Sequence, residues 1–315
     1  MKAVCVTPIT DDRKHLLEKN GVEITFIEKK EVTPEILQGA EIIFGNLNPQ
    51  LINTIDSIRW VQLDSAGADS YKILRDDITL TNCSGAYGEA ISEHMLGCVL
   101  AVEKNLYNYH NRQKERSWEN LGSVPVMRNL KVLCVGMGDI GSSFAQKMHL
   151  LGCTVYGVRR SVHDVPDYIE AMYTMENMDD ILPVCDVVAL SLPQTKETIG
   201  MFDYERLSKM KKDAVIINVG RGSAIVSTDL VRIMKEGIMK EGHLKAACLD
   251  VTEHEPLPKN NPLWTCPNVY ITPHISGRFN AEVTYDKVVD IFSTNLEHYL
   301  NHESLEHIVD KSIGY

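Results

Sequence analysis

The stretch Asn129–Ser161, NLKVLCVGMGDIGSSFAQKMHLLGCTVYGVRRS, leaves few folds open. Lys131–Val135 is a short apolar run that favours a strand, and it stops at the turn Gly136, Met137, Gly138, Asp139, Ile140, Gly141. Ile140, Phe144, Met148 and Leu151 then recur at helical spacing, and a second strand-like run, Thr154–Val158, follows Gly152. Strand, glycine turn, helix and strand within about thirty residues form the setting in which G-x-G-x-x-G places a dinucleotide pyrophosphate on a helix N-terminus. Gly136 permits the tight turn. Gly138 removes the Cβ where backbone approaches phosphate, and Gly141 lets helix and strand pack closely. Asp139 and Ile140 open the helix, whose free N–H groups and dipole face the anion.

The end of the second strand departs from the usual pattern. Units that select NAD carry an acidic residue about 20 residues into the motif, where it accepts the 2′-hydroxyl of the adenosine ribose. That place reads Arg159, Arg160, Ser161 here. A carboxylate repels a 2′-phosphate, whereas two guanidiniums and a hydroxyl bind one through charge-assisted hydrogen bonds. The sequence therefore predicts NADP as the preferred cofactor, with NAD as the second choice.

At 315 residues the chain exceeds what one core usually supports, so two domains are expected. A net charge of −11 argues against nucleic acid or an anionic membrane surface as the main partner. The eight cysteines are scattered without C-x-x-C pairs, several in apolar strands. That is the pattern of reduced, buried thiols in a cytoplasmic protein, and it points away from a disulfide framework or a metal site. Met1–Thr10 reads as a first strand and not as a leader peptide. The longest apolar run, Met95–Val102, is far short of the ~20 residues that span a bilayer.

Along residues 1–83, strand-like runs at Ala3–Val6, Val22–Ile27, Glu41–Phe44 and Trp60–Leu63 alternate with helical segments near Arg13–Lys19, Pro34–Leu37 and Pro49–Ile55. This predicts a small, mostly parallel α/β domain. Its fourth strand ends in the small-residue turn Ser65, Ala66, Gly67, Ala68, Asp69. Ligands gather at the carboxyl ends of parallel strands, so N–H groups in this turn are candidates for holding a carboxylate. Glu89–Asn111 is expected as one long helix crossing between domains. Further strands at Asp186–Ser191, Ala214–Asn218, Lys245–Leu249 and Val269–Thr272 complete a doubly wound sheet. A last amphipathic helix, Ala281–Leu300, is expected to return to the first domain, making that domain discontinuous. The division that follows is 1–98 with 284–315 around a dinucleotide-binding domain at 99–283.

Four segments besides the glycine motif carry a resemblance. They are Ser191-Leu192-Pro193-Gln194-Thr195 with Thr198, Asn218-Val219-Gly220-Arg221-Gly222, Leu249–Pro256, and Thr272-Pro273-His274-Ile275-Ser276-Gly277. Together with the turn at 65–69 they resemble the D-isomer-specific 2-hydroxyacid dehydrogenases, glyoxylate/hydroxypyruvate reductases of the NADP type among them. The resemblance implies a Rossmann domain inserted into a flavodoxin-like substrate domain, a typically dimeric enzyme, and interconversion of 2-oxo and D-2-hydroxy acids with NAD(H) or NADP(H). It implies cofactor contacts at Leu192, Pro193, Thr198, Val219, Gly220, Asp250 and Gly277, and substrate contacts at Ser65, Ala66 and Gly67.

The resemblance also assigns roles to three side chains. Arg221 would bind the substrate carboxylate and polarise the carbonyl through its planar fork. His274 would be the acid in reduction and the base in oxidation, a task suited to an imidazole at neutral pH. Glu255, and not its neighbours Asp250 or Glu253, would orient the ring and stabilise the imidazolium. Tyr87 and Trp264 are candidate pocket walls. Three departures stand out: Arg159 for the usual Asp, Gly220 for a common Ala, read as neutral, and Gly88 for a frequent Thr, read as the loss of a polar contact. Formate dehydrogenases of this architecture use glutamine in the place of Glu255. A short-form phosphoglycerate dehydrogenase and a dinucleotide-sensing corepressor on the same fold are the rival readings.

Overall fold

The computed structural model describes residues 1–19, 21–161, 164–239, 244–279 and 281–314. It divides into two compact units, Met1–Tyr87 with Phe279–Tyr315, and Gly88–Arg278.

The first unit is built on five parallel strands, β1 (Lys2–Cys5), β2 (Glu23–Phe26), β3 (Ile42–Phe44), β4 (Trp60–Gln62) and β5 (Thr79–Thr81), in the order β2-β1-β3-β4-β5. That is the flavodoxin-like order. Its central strands β3 and β4 are buried throughout, as expected of a parallel sheet covered on both faces. The C-terminal helix Glu282–Leu300 lies on this sheet. Phe292 stacks on Phe44 with ring centroids 3.9 Å apart, and Trp60 stacks on Tyr299 at 5.1 Å. Beneath them runs a closed polar network. Trp60 Nε1 donates to Thr81 Oγ1 at 2.8 Å, Thr81 donates to Gln62 Oε1 at 2.7 Å, and Asn295 Nδ2 donates to the same oxygen at 2.9 Å. A buried network with its members paired fixes one orientation of the helix on the sheet.

The second unit holds seven parallel strands, β6 (Lys131–Val135), β7 (Thr154–Val158), β8 (Ala171–Tyr173), β9 (Val187–Leu190), β10 (Ala214–Asn218), β11 (Leu244–Leu249) and β12 (Val269–Ile271). Their order, β8-β7-β6-β9-β10-β11-β12, is the Rossmann order with one strand added at the far edge. The order reverses between β6 and β9, and the glycine turn follows β6.

The expected limits at 98/99 and 283/284 differ from those of the compact units. The whole helix Gly88–Glu103, with Ile91, Met95, Val99 and Val102 buried, belongs to the second unit, where it packs against the helix Asp139–Leu150. Nor does one helix run to Asn111. It ends at Glu103, Asn105 takes a left-handed φ of 54°, and a separate helix spans Leu106–Lys114. Asparagine is one of the few residues that visits this region readily, so the break falls on a residue suited to it.

Candidate active site

The glycine turn is shaped by close approaches. A Cβ on Gly141 would stand 1.8 Å from the Gly136 carbonyl oxygen, and one on Gly136, at φ +95°, would stand 2.9 Å from the Ser191 oxygen. Ser191 Oγ donates to the Gly136 carbonyl at 2.9 Å, which ties the ends of β6 and β9 together. At Gly138 the space a Cβ would enter is open. A turn closed toward the protein at Gly136 and Gly141 and open at Gly138 suits a pyrophosphate laid against the helix N-terminus. Asp139 turns away from that position, its carboxylate accepting the Gly88 N–H at 2.7 Å. A side chain at 88 would meet it, since a Cβ there lies 2.2 Å from Asp139 Oδ1. Glycine at 88 is thus matched to Asp139.

Arg159 follows β7 and donates from Nη2 to the Met137 carbonyl at 3.0 Å, which brings the guanidinium beside the glycine turn. Arg160 and Ser161 are exposed at the same strand end. Across the switch point, Thr198 donates to the Pro193 carbonyl at 2.7 Å and accepts from the Thr195 N–H at 2.8 Å, fixing the loop after β9 that begins at the buried Leu192. Gly220 stands against that loop, where a Cβ would lie 2.6 Å from Leu192 N and O. The reading of Gly220 as neutral is therefore corrected: in this chain the position has no room for alanine.

Arg221 is carried by the loop after β10. Asn218, fully buried, donates from Nδ2 to the Arg221 carbonyl at 2.9 Å and accepts the Gly220 N–H at 3.1 Å, a clip that the sequence motif contains but does not explain. Arg221 Nη1 donates to the Gly220 carbonyl at 3.0 Å. Its neighbour Gly222 presses on the loop after β11, where a Cβ would lie 1.9 Å from the Thr252 carbonyl carbon. That second loop bears Glu255, so the Arg221 and Glu255 loops are in direct contact.

Glu255 Oε2 lies 2.7 Å from His274 Nδ1, and Oε1 accepts the Thr252 N–H at 3.1 Å. With the carboxylate accepting from Nδ1–H, the other ring nitrogen, Nε2, carries no hydrogen bond to Glu255. Glu253 does not compete, since its Oε2 accepts the Ser227 N–H at 2.8 Å. His274 itself has φ 50°, and its N–H reaches the Asp250 carbonyl at 2.8 Å.

The Asp250 carboxylate is bound by four donors of the His274 loop. They are the Thr272 hydroxyl at 2.6 Å, the Ser276 hydroxyl at 2.5 Å, and the N–H groups of Ile275 and Ser276 at 3.0 and 3.1 Å. Burial works to raise its pKa, but these hydrogen bonds outweigh it and hold the carboxyl below the ordinary carboxylate range. A group with a depressed folded-state pKa contributes stability in full above its unfolded value, near ~3.9, and loses it as pH falls through the folded value. Asp250→Asn should accordingly lower the melting temperature at neutral pH, and the gap to wild type should narrow below about pH 4. Thermal melts across that range check it; a gap that stays constant with pH would count against the role.

In the first unit the N–H groups of Ser65, Ala66 and Gly67 at the end of β4 meet no acceptor among the described residues, while Ser65 Oγ donates to the Gly67 carbonyl at 2.8 Å. Tyr87 is a core residue there, 6% exposed, with its hydroxyl on the Asp64 carbonyl. Trp264 is half-exposed in the second unit and donates to the Pro258 carbonyl at 3.0 Å. Gly277 is half-buried at the end of the His274 loop. Among the described residues no group of three His, Cys, Asp or Glu side chains is placed to hold a metal, and no helix is long and apolar enough to cross a membrane.

A nucleotide turn at the switch point, with an arginine and a histidine–carboxylate pair on loops after β10, β11 and β12, belongs to the dinucleotide-dependent oxidoreductases of Rossmann type. Within that class the chain belongs to the D-isomer specific 2-hydroxyacid dehydrogenase family, whose NAD binding domain matches residues 96–276. It is an NAD(P)-dependent oxidoreductase of that family. A glyoxylate/hydroxypyruvate reductase B of Erwinia tasmaniensis is 29% identical over 294 residues, covering 89% of this chain and 88% of its own. Among solved structures, a D-isomer specific 2-hydroxyacid dehydrogenase family protein from Aeromonas salmonicida superposes with a TM-score of 0.85 at 28% identity, covering 98% of this chain and 99% of its own. An NADPH-dependent glyoxylate/hydroxypyruvate reductase from Sinorhizobium meliloti, solved with NADP and sulfate, does so with a TM-score of 0.84 at 26% identity, covering 100% and 99%.

Proposed function

We propose that the protein reduces a small 2-oxo acid, of the glyoxylate or hydroxypyruvate kind, to the D-2-hydroxy acid with NADPH as the preferred donor. The observation that carries this reading is the 2.7 Å contact between His274 Nδ1 and Glu255, on a loop packed against the one that bears Arg221. The bound cofactor supplies the hydride. The chain does the rest: Arg221 holds the carboxylate and polarises the carbonyl, and His274 Nε2 delivers the proton to the carbonyl oxygen while Glu255 stabilises the imidazolium that precedes the transfer. The N–H groups of Ser65, Ala66 and Gly67 are the second candidate for holding the carboxylate. Gly136, Gly138, Asp139, Ile140 and Gly141 carry the pyrophosphate. Leu192, Pro193, Thr198, Val219, Gly220, Asp250 and Gly277 border the rest of the cofactor.

NADPH is favoured because Arg159 already stands beside the glycine turn and Arg160 and Ser161 flank it. Charge-assisted hydrogen bonds contribute about 1.5–3 kcal/mol, reduced by exposure, so about tenfold discrimination against NADH is expected. The protein would act as a cytoplasmic homodimer. All eight cysteines are free and buried, in keeping with a reducing compartment. The fully exposed Trp118, with Val124 and Val126 nearby in the chain, is the kind of apolar surface a second copy covers.

The test is a screen of 2-oxo acids with both cofactors, in wild type and in an Arg159→Asp, Arg160→Ala variant. Turnover with NADPH, at a kcat/KM about tenfold above that with NADH and reversed in the variant, is the expected result. Equal use of both cofactors would overturn the cofactor assignment, and no turnover of any 2-oxo acid would overturn the reductase reading.

A further inference from the structure

The dinucleotide-binding unit holds a second cluster of reactive side chains, which the proposed reduction does not use. His94 and Cys98 lie four residues apart on the helix Gly88–Glu103, so they share one face. Cys98 Sγ stands 3.7 Å from His94 Nε2, and Cys248, on β11, borders the same cavity as these two. That cavity, of about 340 Å³, is walled by Tyr107, Tyr270 and Trp264, the first two stacked at 3.8 Å. An imidazole and a second thiol around one sulfur, opening on a cavity, is the surrounding in which a cysteine becomes a nucleophile.

We propose that Cys98 is a peroxide-reactive thiol, a modification site that takes small hydroperoxides through this cavity. In the step, the Cys98 thiolate attacks the distal peroxide oxygen. An S–O bond forms as the O–O bond breaks, and the leaving oxygen takes the proton held on His94 Nε2. Sulfur gives up two electrons to become a sulfenic acid, and the hydroperoxide is reduced to an alcohol, or hydrogen peroxide to water.

Chemistry separates Cys98 from the other thiols of the chain. Cys248, and then His94, draw its pKa down against the effect of burial, and His94 is held up in return by Cys98. The remaining seven are raised: burial pushes Cys153 to about 11 and Cys5 and Cys185 to about 12, lifts Cys83, Cys134 and Cys266, and adds to the effect of Cys98 on Cys248. The groups facing the Cys98 sulfur are His94 from its own helix, Cys248 and Asp250 from β11 and its end, Tyr107 from the following helix and Tyr270 from β12. Of these, Asp250 opposes the thiolate.

The test treats the full chain with hydrogen peroxide near neutral pH, traps sulfenic acid with dimedone and reads each cysteine by mass spectrometry. Cys98 should be labelled about tenfold or more faster than Cys134 and Cys153. His94→Gln should slow it by about tenfold and move the rise of rate with pH toward the ordinary thiol range, near ~8.5. Cys248→Ala, which removes the other partner from a different element, should slow it as well. Labelling of Cys98 no faster than that of Cys134 would overturn the proposal, as would unchanged rates and pH profiles in both variants.

Discussion

Replacing His274 with alanine is expected to lower turnover of a 2-oxo acid by about 10²–10⁴-fold while cofactor affinity stays nearly unchanged. The range is that of a positioned acid–base group, and in the proposed role, with Nδ1 held by Glu255 at 2.7 Å, Nε2 is the nitrogen that would exchange the proton. The ring side is half-exposed, with 48% of the side chain accessible, so its removal leaves little cavity. The backbone does make a demand, because residue 274 sits at φ 50°. His274→Asn supplies a control, since asparagine tolerates that conformation and has no titrating group in the range. Both variants should show the same loss of kcat, with cofactor binding followed by fluorescence titration. Wild-type turnover in the asparagine variant would remove His274 from the chemistry.

Arg221→Lys is expected to lower kcat/KM for the 2-oxo acid by about 10–100-fold with little change in the KM for NADPH, since one of two charge-assisted hydrogen bonds is lost while the charge is kept. The guanidinium is already oriented. Asn218 clips the loop, and Nη1 rests on the Gly220 carbonyl at 3.0 Å. A lysine would present a single ammonium on a flexible stem and could not reproduce a planar, two-point hold on a carboxylate beside a carbonyl. Steady-state kinetics with glyoxylate decides the matter. Unchanged kinetics would move the carboxylate to another holder, with the N–H groups of Ser65–Gly67 next in line.

What could be read from the sequence follows how local each signal is. The glycine turn, β6, β7 and β10 are contiguous patterns, and the structure places their strands at the limits expected from the run of apolar residues. The strands β5 (Thr79-Leu80-Thr81) and β8 (Ala171-Met172-Tyr173) carry no valine or isoleucine, unlike the equally short β3, β4 and β12, and give no strand signal in the sequence. The break at Asn105 was hidden because the apolar stripe continues past it to Leu106. Arg221, Glu255 and His274 were named by resemblance. Their arrangement depends on contacts that no spacing reveals, such as Gly222 against Thr252 and the four donors around Asp250. Gly88 and Gly220 looked like departures from a pattern and are instead fitted to Asp139 and Leu192. His94 and Cys98 sit within an ordinary amphipathic helix, and only the packing of β11 and β12 against it turns them into a cluster.

The division of the first unit between the two ends of the chain bears on how the protein is made. Phe44, Trp60 and Gln62 emerge early, yet the helix that covers them, with Phe292, Asn295 and Tyr299, emerges only after the whole of Gly88–Arg278. Ser293 and Leu16, joined by a hydrogen bond, are 277 residues apart. At about 5–20 residues per second, a ribosome spends on the order of ten seconds or more between the sheet and its cover. The inserted unit, whose strands and helices are consecutive, has that interval in which to fold by itself. The opening sheet waits through it with aromatic surface bare, and a chaperone that binds extended apolar segments would find its target in residues 42–62 of the nascent chain.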